Sequence, residues 1–207
     1  MEKATRGTHL KMAIVGGCAA AIAIGGSLAY LTATDEVSNR FNVEQALTER
    51  IDVIEPNWNE DNGKNIVPTQ TIPKDPQLVN ESDIPIYAIM QISVPHANIQ
   101  TASAEGTVQA AAAQDLFTYK VNAGWSEQGA GSLSEDGSHM VHTYLLEQQL
   151  PAGATSPSVF DEVTLVNAID GQIDGQSLTI DVDGFAIQAE GFSSAAEAWA
   201  AYQNQNA

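Results

Sequence analysis

The side chains best suited to metal chemistry in the body of this chain are three histidines, His96, His139 and His142. Zinc peptidases commonly carry a His-Glu-x-x-His motif, which places two ligands and a general base on one helix face. The chain has no such motif. His139 and His142 are three residues apart in a predicted β-strand, where successive side chains alternate between faces, so we expect them to point to opposite sides. A zinc site would have to be assembled from distant residues, and the alternative is that these histidines are exposed or packing residues.

Two further residue types suggest ligand binding. Carboxylates are the ligands that calcium prefers, but the aspartates near the C-terminal end do not match the spacing of an EF-hand loop. A solvated acidic turn and strand face is the alternative. Three tryptophans suggest a carbohydrate platform, although one lies in a predicted helix, where packing is favoured. The aspartates are Asp170, Asp174, Asp181 and Asp183, and the tryptophans are Trp58, Trp125 and Trp199. We expect no cofactor, with calcium as a secondary possibility and zinc only for a protease.

The charge of the chain is strongly acidic, with 26 aspartates and glutamates against 8 lysines and arginines and a net charge of −18. Binding of phosphate groups needs clustered cations, so this balance argues against a nucleic-acid partner and against docking on anionic lipid. It favours solubility, repulsion between copies and attraction to cations.

The first 29 residues have the pattern of a secretory signal peptide. Three cations, Lys3, Arg6 and Lys11, precede an apolar run over residues 12–24, and Ser27 and Ala29 are the small residues that a signal peptidase recognises. We therefore expect cleavage between Ala29 and Tyr30. A retained membrane anchor is the alternative, because the apolar stretch, if extended to Leu31, reaches about 20 residues and could just span a bilayer.

The only cysteine, Cys18, lies within this leader. A lipidated cysteine is a further alternative, but the apolar run before it is short. If the leader is removed, the mature chain has neither a cysteine nucleophile nor a disulfide.

The rest of the sequence predicts many short strands separated by turn residues. The clearest strand covers residues 84–94 and is expected to end at Pro95, and residues 71–79 are predicted to form an edge strand because of two prolines. A shift of the apolar face at Asp183–Gly184 suggests a β-bulge. Residues 101–114 are compatible with a helix or a loop. Ser194-x-x-Glu197 is a capping box, which predicts a short C-terminal helix.

These elements predict an all-β fold, a jelly-roll β-sandwich with a short C-terminal helix, preceded by the signal peptide. The expected organisation is a signal peptide over residues 1–29, an extended N-terminal arm over 30–45 and a jelly-roll domain over 46–207.

The order of several segments resembles the TasA/camelysin family of exported proteins with SipW-type signal peptides. The stretch Gly26-Ser27-Leu28-Ala29-Tyr30-Leu31-Thr32 is similar to the end of the family's signal peptide. The other stretches that carry the resemblance are Asn39-Arg40-Phe41-Asn42-Val43, Glu55-Pro56-Asn57-Trp58, Ile72-Pro73-Lys74-Asp75-Pro76 with Asn80, Val159-Phe160-Asp161-Glu162-Val163, and Ala186 to Phe192 followed by Ala198-Trp199. Where family members commonly have a glycine soon after the Val43 equivalent, this chain has Glu44-Gln45.

The resemblance implies a secreted jelly-roll subunit of the cell surface or biofilm matrix, whose partners are further copies or related matrix proteins. Some relatives form fibres in which the N-terminal segment of one subunit completes the sheet of the next. In this chain the candidate donor strand lies within residues 30–43, with Leu31, Ala33, Val37, Phe41 and Val43 available to fill pockets. The alternatives are an arm that folds back on its own sheet and, for the function, a camelysin-like surface metalloendopeptidase. Signal peptidase is the expected export partner, and only the signal segment is expected to meet the membrane.

Overall fold

The structure is a computed structural model that describes residues 32–36 and 51–205. The regular secondary structure of the described part is β-strand apart from one helix at its C-terminal end. The elements are β1 (Thr32–Glu36), β2 (Ile51–Ile54), β3 (Thr71–Pro73), β4 (Gln77–Asn80), β5 (Ile86–Ile99), β6 (Ala112–Asp115), β7 (Phe117–Thr118), β8 (Trp125–Glu127), β9 (Ser132–Leu133), β10 (His139–Leu146), β11 (Glu162–Leu165), β12 (Asp181–Gln188) and α1 (Ala195–Gln205). The all-β prediction with a short C-terminal helix is confirmed.

The strands form one large antiparallel sheet and two small ones. The large sheet has the path β1-β12-β5-β10-β8, with β6 also paired to β5 and β9 to β10. The small sheets are β3-β11-β7 and β2-β4. The single edge strand predicted over residues 71–79 is wrong in its extent. The segment forms two strands, β3 at the edge of the three-stranded sheet and β4 in the two-stranded sheet, separated by residues 74–76.

Two apolar clusters lie on opposite faces of the large sheet. The larger cluster joins β5, β10 and β12 to the small sheets, and it includes Met90, Ile92, Phe160 and Val163, each fully buried. The second cluster lies between the large sheet and α1, where Trp199 meets the second face. The molecule is therefore layered, with the large sheet in the middle.

The central strand β5 is apolar on both faces, as its sequence predicted. Ile86, Ala88, Met90, Ile92 and Val94 belong to the larger cluster, while Tyr87 and Ile89 belong to the cluster under α1. The expectation that Pro95 ends this strand is wrong. Pro95 is the last residue paired with β10, and pairing with β6 begins at the next residue, His96. A proline is tolerated where the strand changes partner because a missing N–H costs little there.

The predicted β-bulge at Asp183–Gly184 is also wrong. The ladder between β12 and β5 keeps one register from Asp181 opposite Ser93 to Gln188 opposite Ile86. The core face simply continues through Gly184, where an added Cβ would lie 2.5 Å from Val53 Cγ2. The apparent phase shift arises because α1 covers the other face from Phe185 onward, so both faces become apolar.

The C-terminal helix begins with a modified capping box. The Ser194 hydroxyl accepts a hydrogen bond from the Glu197 backbone N–H at 3.2 Å, while the Glu197 carboxylate accepts from the backbone N–H and hydroxyl of Ser193. The helix buries Trp199, which packs against Phe185 at 5.3 Å between ring centroids and stacks on Tyr202.

Residues 101–114, for which the sequence left helix and loop open, contain no helix. Thr101 and Ala102 make isolated β-bridges, and the segment ends in β6.

A fully buried asparagine fixes the turn that connects β4 to β5. The Asn80 amide donates to the carbonyls of Ile84, Leu150 and Pro151 at 2.9–3.1 Å. Its Oδ1 accepts from the backbone N–H and the hydroxyl of Ser82. One side chain therefore satisfies polar groups from two separate turns.

Replacing Asn80 with alanine should lower the free energy of unfolding by about 2–4 kcal/mol, since it removes the buried amide's hydrogen bonds to three carbonyls and the acceptor of the Ser82 backbone N–H and hydroxyl. Urea unfolding followed by tryptophan fluorescence measures the change. The matched control is Gln176→Ala, an exposed amide bonded only to the Gln172 carbonyl, which should change stability by less than about 0.5 kcal/mol. Equal losses in both variants would contradict this role of Asn80.

Candidate functional site

The first candidate site is the edge of the large sheet that carries the N-terminal strand. β1 is the terminal strand on the sheet path, and among the described strands it pairs antiparallel with β12. Thr32 lies opposite Ile187, Ala33 opposite Ala186 and Glu36 opposite Asp183. In this chain, therefore, the part of the arm that is described lies along the outer edge of β12.

Most of the arm residues singled out in the sequence lie outside the described residues. They are Ala29 and Tyr30 at the expected cleavage site, and Leu31, Val37, Phe41 and Val43 of the candidate donor strand. Ala33 is the one that falls within β1, opposite Ala186, whose side chain is fully buried in the larger core.

Beside this edge, two of the motifs noticed in the sequence contact each other. The Lys74 ammonium lies 2.7 Å from Glu55 Oε1, and both side chains are nearly buried. The ammonium also lies 5.2 Å from the centre of the Trp58 ring, which is a cation–π distance. Asp75 accepts from the Asn57 backbone N–H and side-chain amide at 2.9 and 2.8 Å. Removing one member of a buried ion pair is costly, so this contact holds the turn after β2 against β3.

The second candidate site is a cluster of two histidines and two carboxylates. His142 on β10 bonds through Nε2 to Asp115 Oδ2 at 2.8 Å and through Nδ1 to Glu127 Oε1 at 2.7 Å. The other oxygen of Asp115 meets Nδ1 of His96 at 2.8 Å. Strands β5, β6, β8 and β10 each supply one of these groups.

The geometry around His142 favours its charged form. A neutral imidazole carries one N–H and can donate to one carboxylate, whereas the imidazolium donates to both. Burial lowers the pKa of His142, but the hydrogen bonds and charges of Glu127 and Asp115 outweigh it, and the net pKa is raised above the ordinary value of 6.5. His142 thus bridges β6 and β8 through two hydrogen bonds, and its raised pKa favours the charged form.

Two tyrosines lie against this bridge. Their hydroxyls, on Tyr119 and Tyr144, are 2.9 Å apart, and the Tyr144 ring stacks on His142 with 6.3 Å between ring centroids. Burial raises the pKa of Tyr144 to about 12 and also raises that of Tyr119. Both hydroxyls are therefore neutral near pH 7 and act as hydrogen-bonding groups.

The remaining residues considered for metal or sugar binding do not belong to the His142 cluster. His139 bonds to the hydroxyl of its neighbour Ser138 and does not join the cluster. Among residues 51–205, no group of three or more histidine, cysteine, aspartate or glutamate side chains has a geometry that could hold a metal ion. Asp170, Asp174 and Asp181 are exposed.

The three tryptophans have different surroundings. Trp125 is buried and donates to the Pro157 carbonyl at 3.0 Å. Trp199 belongs to α1 and packs between the helix and the large sheet, as the sequence favoured, and Trp58 is half-buried beside Lys74.

Sequence analysis missed Asp115, Glu127 and Tyr119 as neighbours of His142. They are separated from it along the chain by 27, 15 and 23 positions respectively. They meet because strand pairing brings β8 beside β10 and β6 beside the end of β5. No local spacing in the sequence signals such a cluster.

No family model matches the chain, and no curated protein or solved structure matches it either. Within the described ranges, no helix is long and apolar enough to cross a membrane.

The raised pKa of His142 predicts a pH-dependent contribution to stability. The stabilisation is fully present below the unfolded pKa near 6.5 and is lost as the pH rises through the higher folded pKa. The difference in unfolding free energy between the unmodified chain and His142→Gln should therefore be largest near pH 6 and shrink toward about pH 9. Urea titrations at several pH values measure it.

His139→Gln is the matched control for this experiment, because the ring of His139 bonds to a neutral serine hydroxyl on the same sheet. The His139→Gln variant should show the same dependence of unfolding free energy on pH as the unmodified chain. A difference for His142→Gln that stays constant across this pH range would contradict the charged bridge.

Proposed function

We propose that this protein is an exported structural or adhesive subunit of the cell surface or biofilm matrix, of the TasA/camelysin type. In this proposal its domain is a jelly roll, and copies assemble by donating the N-terminal arm. The observation that carries the proposal is the position of β1, an N-terminal strand on the outer edge of β12.

Strand pairing of this kind does not depend on which chain supplies the strand. The pairing of β1 with β12 is a backbone ladder of five residue pairs, and backbone hydrogen bonds give affinity for any extended segment of matching register. A second copy can therefore present the same arm to the same edge. Exchange leaves the number of hydrogen bonds unchanged and joins two subunits.

Export supplies a reason for the arm to be free. Cleavage between Ala29 and Tyr30 would place the arm at the new N-terminus, where no preceding segment restrains it. The proposal therefore couples removal of the leader to assembly outside the cytoplasm. The leader and the cleavage site lie outside the described residues, so this part rests on the sequence pattern.

The charge of the chain sets the conditions for assembly. Copies with a net charge near −18 repel one another, and the repulsion falls as salt screens it or as divalent cations bind the carboxylates. Loss of the leader removes three cations and one anion, which makes the mature chain more acidic still. The metalloendopeptidase alternative stays a prediction from the resemblance, since no catalytic arrangement in the described residues favours it.

Electron microscopy of residues 30–207 should show fibres, with more or longer fibres in added salt or calcium. A chain that lacks residues 30–43 should form none, because the donor strand is missing. The double substitution Ala33→Pro with Thr34→Pro should also abolish fibres. One of these two residues directs its backbone N–H toward β12, and proline at both positions removes that donor from the ladder.

The matched control is Ala33→Ser with Thr34→Ser, which keeps every backbone donor and should assemble normally. Monomers of the unmodified chain under all salt and calcium conditions would contradict self-assembly. Fibres from the arm-less chain would show that another surface drives association.

A further inference from the structure

A cavity of about 400 Å³ opens beside the start of β12. Its walls come from the three-stranded sheet, from the turn after β2 and from the segment that leads into β12. The apolar lining includes Trp58, Ile66, Leu178 and Ile180, each of which is only partly buried. These side chains keep apolar surface accessible at a cavity that has the size of a small-molecule site.

The nearly buried charged groups of the cavity wall compensate each other. The Lys74 ammonium lies 2.7 Å from Glu55 Oε1, and the two side chains are 8% and 11% exposed. The Trp58 ring covers the same ammonium. A cation placed here would be repelled by Lys74, and an anion would have to displace Glu55 from a pair that is costly to break. An uncharged apolar group therefore fits this inner part of the cavity best.

The exposed charged groups of the lining leave an excess of negative charge at the mouth. They are Glu60, Lys64 and Asp181. The Lys64 ammonium bonds to Asp61 at 2.6 Å, which neutralises this exposed cation. Within the part of the chain that the structure describes, Glu60 and Asp181 have no cationic partner. Two carboxylates are thus available at the mouth, together with the hydroxyl of Thr179, which is also an acceptor.

We propose that this cavity binds a small amphipathic amine. The alkyl or aromatic body of the amine lies against the apolar wall, and its ammonium group stays at the mouth beside Glu60 and Asp181. The opposite orientation would bring the ammonium against Lys74. The net charge of −18 on the whole chain adds a longer-range attraction for such a cation. This site does not depend on arm donation and goes beyond the proposed function.

The two parts of the ligand contribute in different ways. Burial of the apolar body supplies most of the affinity. Exposed ion pairs contribute little each, so the carboxylates at the mouth supply selectivity. An alcohol with the same body gains only the burial, and a carboxylate with the same body is repelled by Glu60 and Asp181. The expected order of affinity is therefore amine, then alcohol, then carboxylate.

Three probes that share one alkyl chain test this order: octylamine, 1-octanol and octanoate. Isothermal titration calorimetry of the full chain at pH 7 and low salt should show one octylamine bound per chain. Its affinity should exceed that of octanol by about 3- to 20-fold, with octanoate the weakest. The advantage of the amine should shrink in about 1 M salt, which screens exposed charges. Binding should also change the tryptophan fluorescence, and Trp58→Phe should remove that change.

Variants of the lining locate the site. Glu60→Gln with Asp181→Asn should reduce the octylamine affinity to that of octanol and leave octanol binding unchanged. The matched control is Glu135→Gln with Glu147→Gln, which changes the net charge equally at exposed carboxylates outside the lining and should keep most of the amine's advantage. Leu178→Trp fills the cavity and should abolish binding of both octylamine and octanol.

Each result supports or overturns the site. Saturable octylamine binding that is weakened by the Glu60 and Asp181 variant and by Leu178→Trp, with the control variant unaffected, supports it. Equal affinities for all three probes, or equal losses in the two carboxylate variants, overturn the selection for an amine. Binding that survives Leu178→Trp overturns the location, and failure of every probe to bind the unmodified chain overturns the ligand site. These readouts are separate from fibre formation, so either proposal can fail without the other.

Discussion

The structure depends on the burial of β5 on both faces. A strand in the middle of a sheet has its backbone paired on both sides, and β5 reaches β12, β10 and β6 along its 14 residues. Apolar side chains on both faces then require two covering layers. The small sheets supply one covering layer and α1 supplies the other, so the helix is a structural part of the fold. Because β12 pairs with β5 along its inner edge, only its outer edge is left for a further strand.

The outer edge of β12 is the part of the fold on which the proposed function depends. β12 is anchored on one side by β5 and carries β1 on the other. A strand paired along one edge presents a preformed template, and the strand added to it loses less entropy than two free segments would. Gly184 is part of this arrangement, because the absence of a side chain lets Val53 approach β12 and close the core beneath the edge.

The polar groups within the fold are paired in ways that join separate segments. Asn80 satisfies carbonyls from two turns, and Lys74 neutralises Glu55 beside Trp58. His142 links carboxylates from β6 and β8, two strands that pair with different partners. In each case burial makes an unpaired partner expensive, so the segments are held in fixed positions relative to one another.

The sequence by itself determined the all-β class, the two-faced character of residues 84–94 and the C-terminal helix, because periodicity and a capping box are local properties of the chain. The jelly-roll topology, the secretion and the donor strand stay predictions. Tertiary structure alone decided the course of β5 beyond Pro95, the unbroken register at Gly184 and the meeting of His96, Asp115, Glu127 and His142. Each of these depends on which strand becomes a neighbour, and strand pairing joins residues far apart in sequence. For the same reason, Lys74 and Glu55 could be noticed as parts of two motifs but not as a pair.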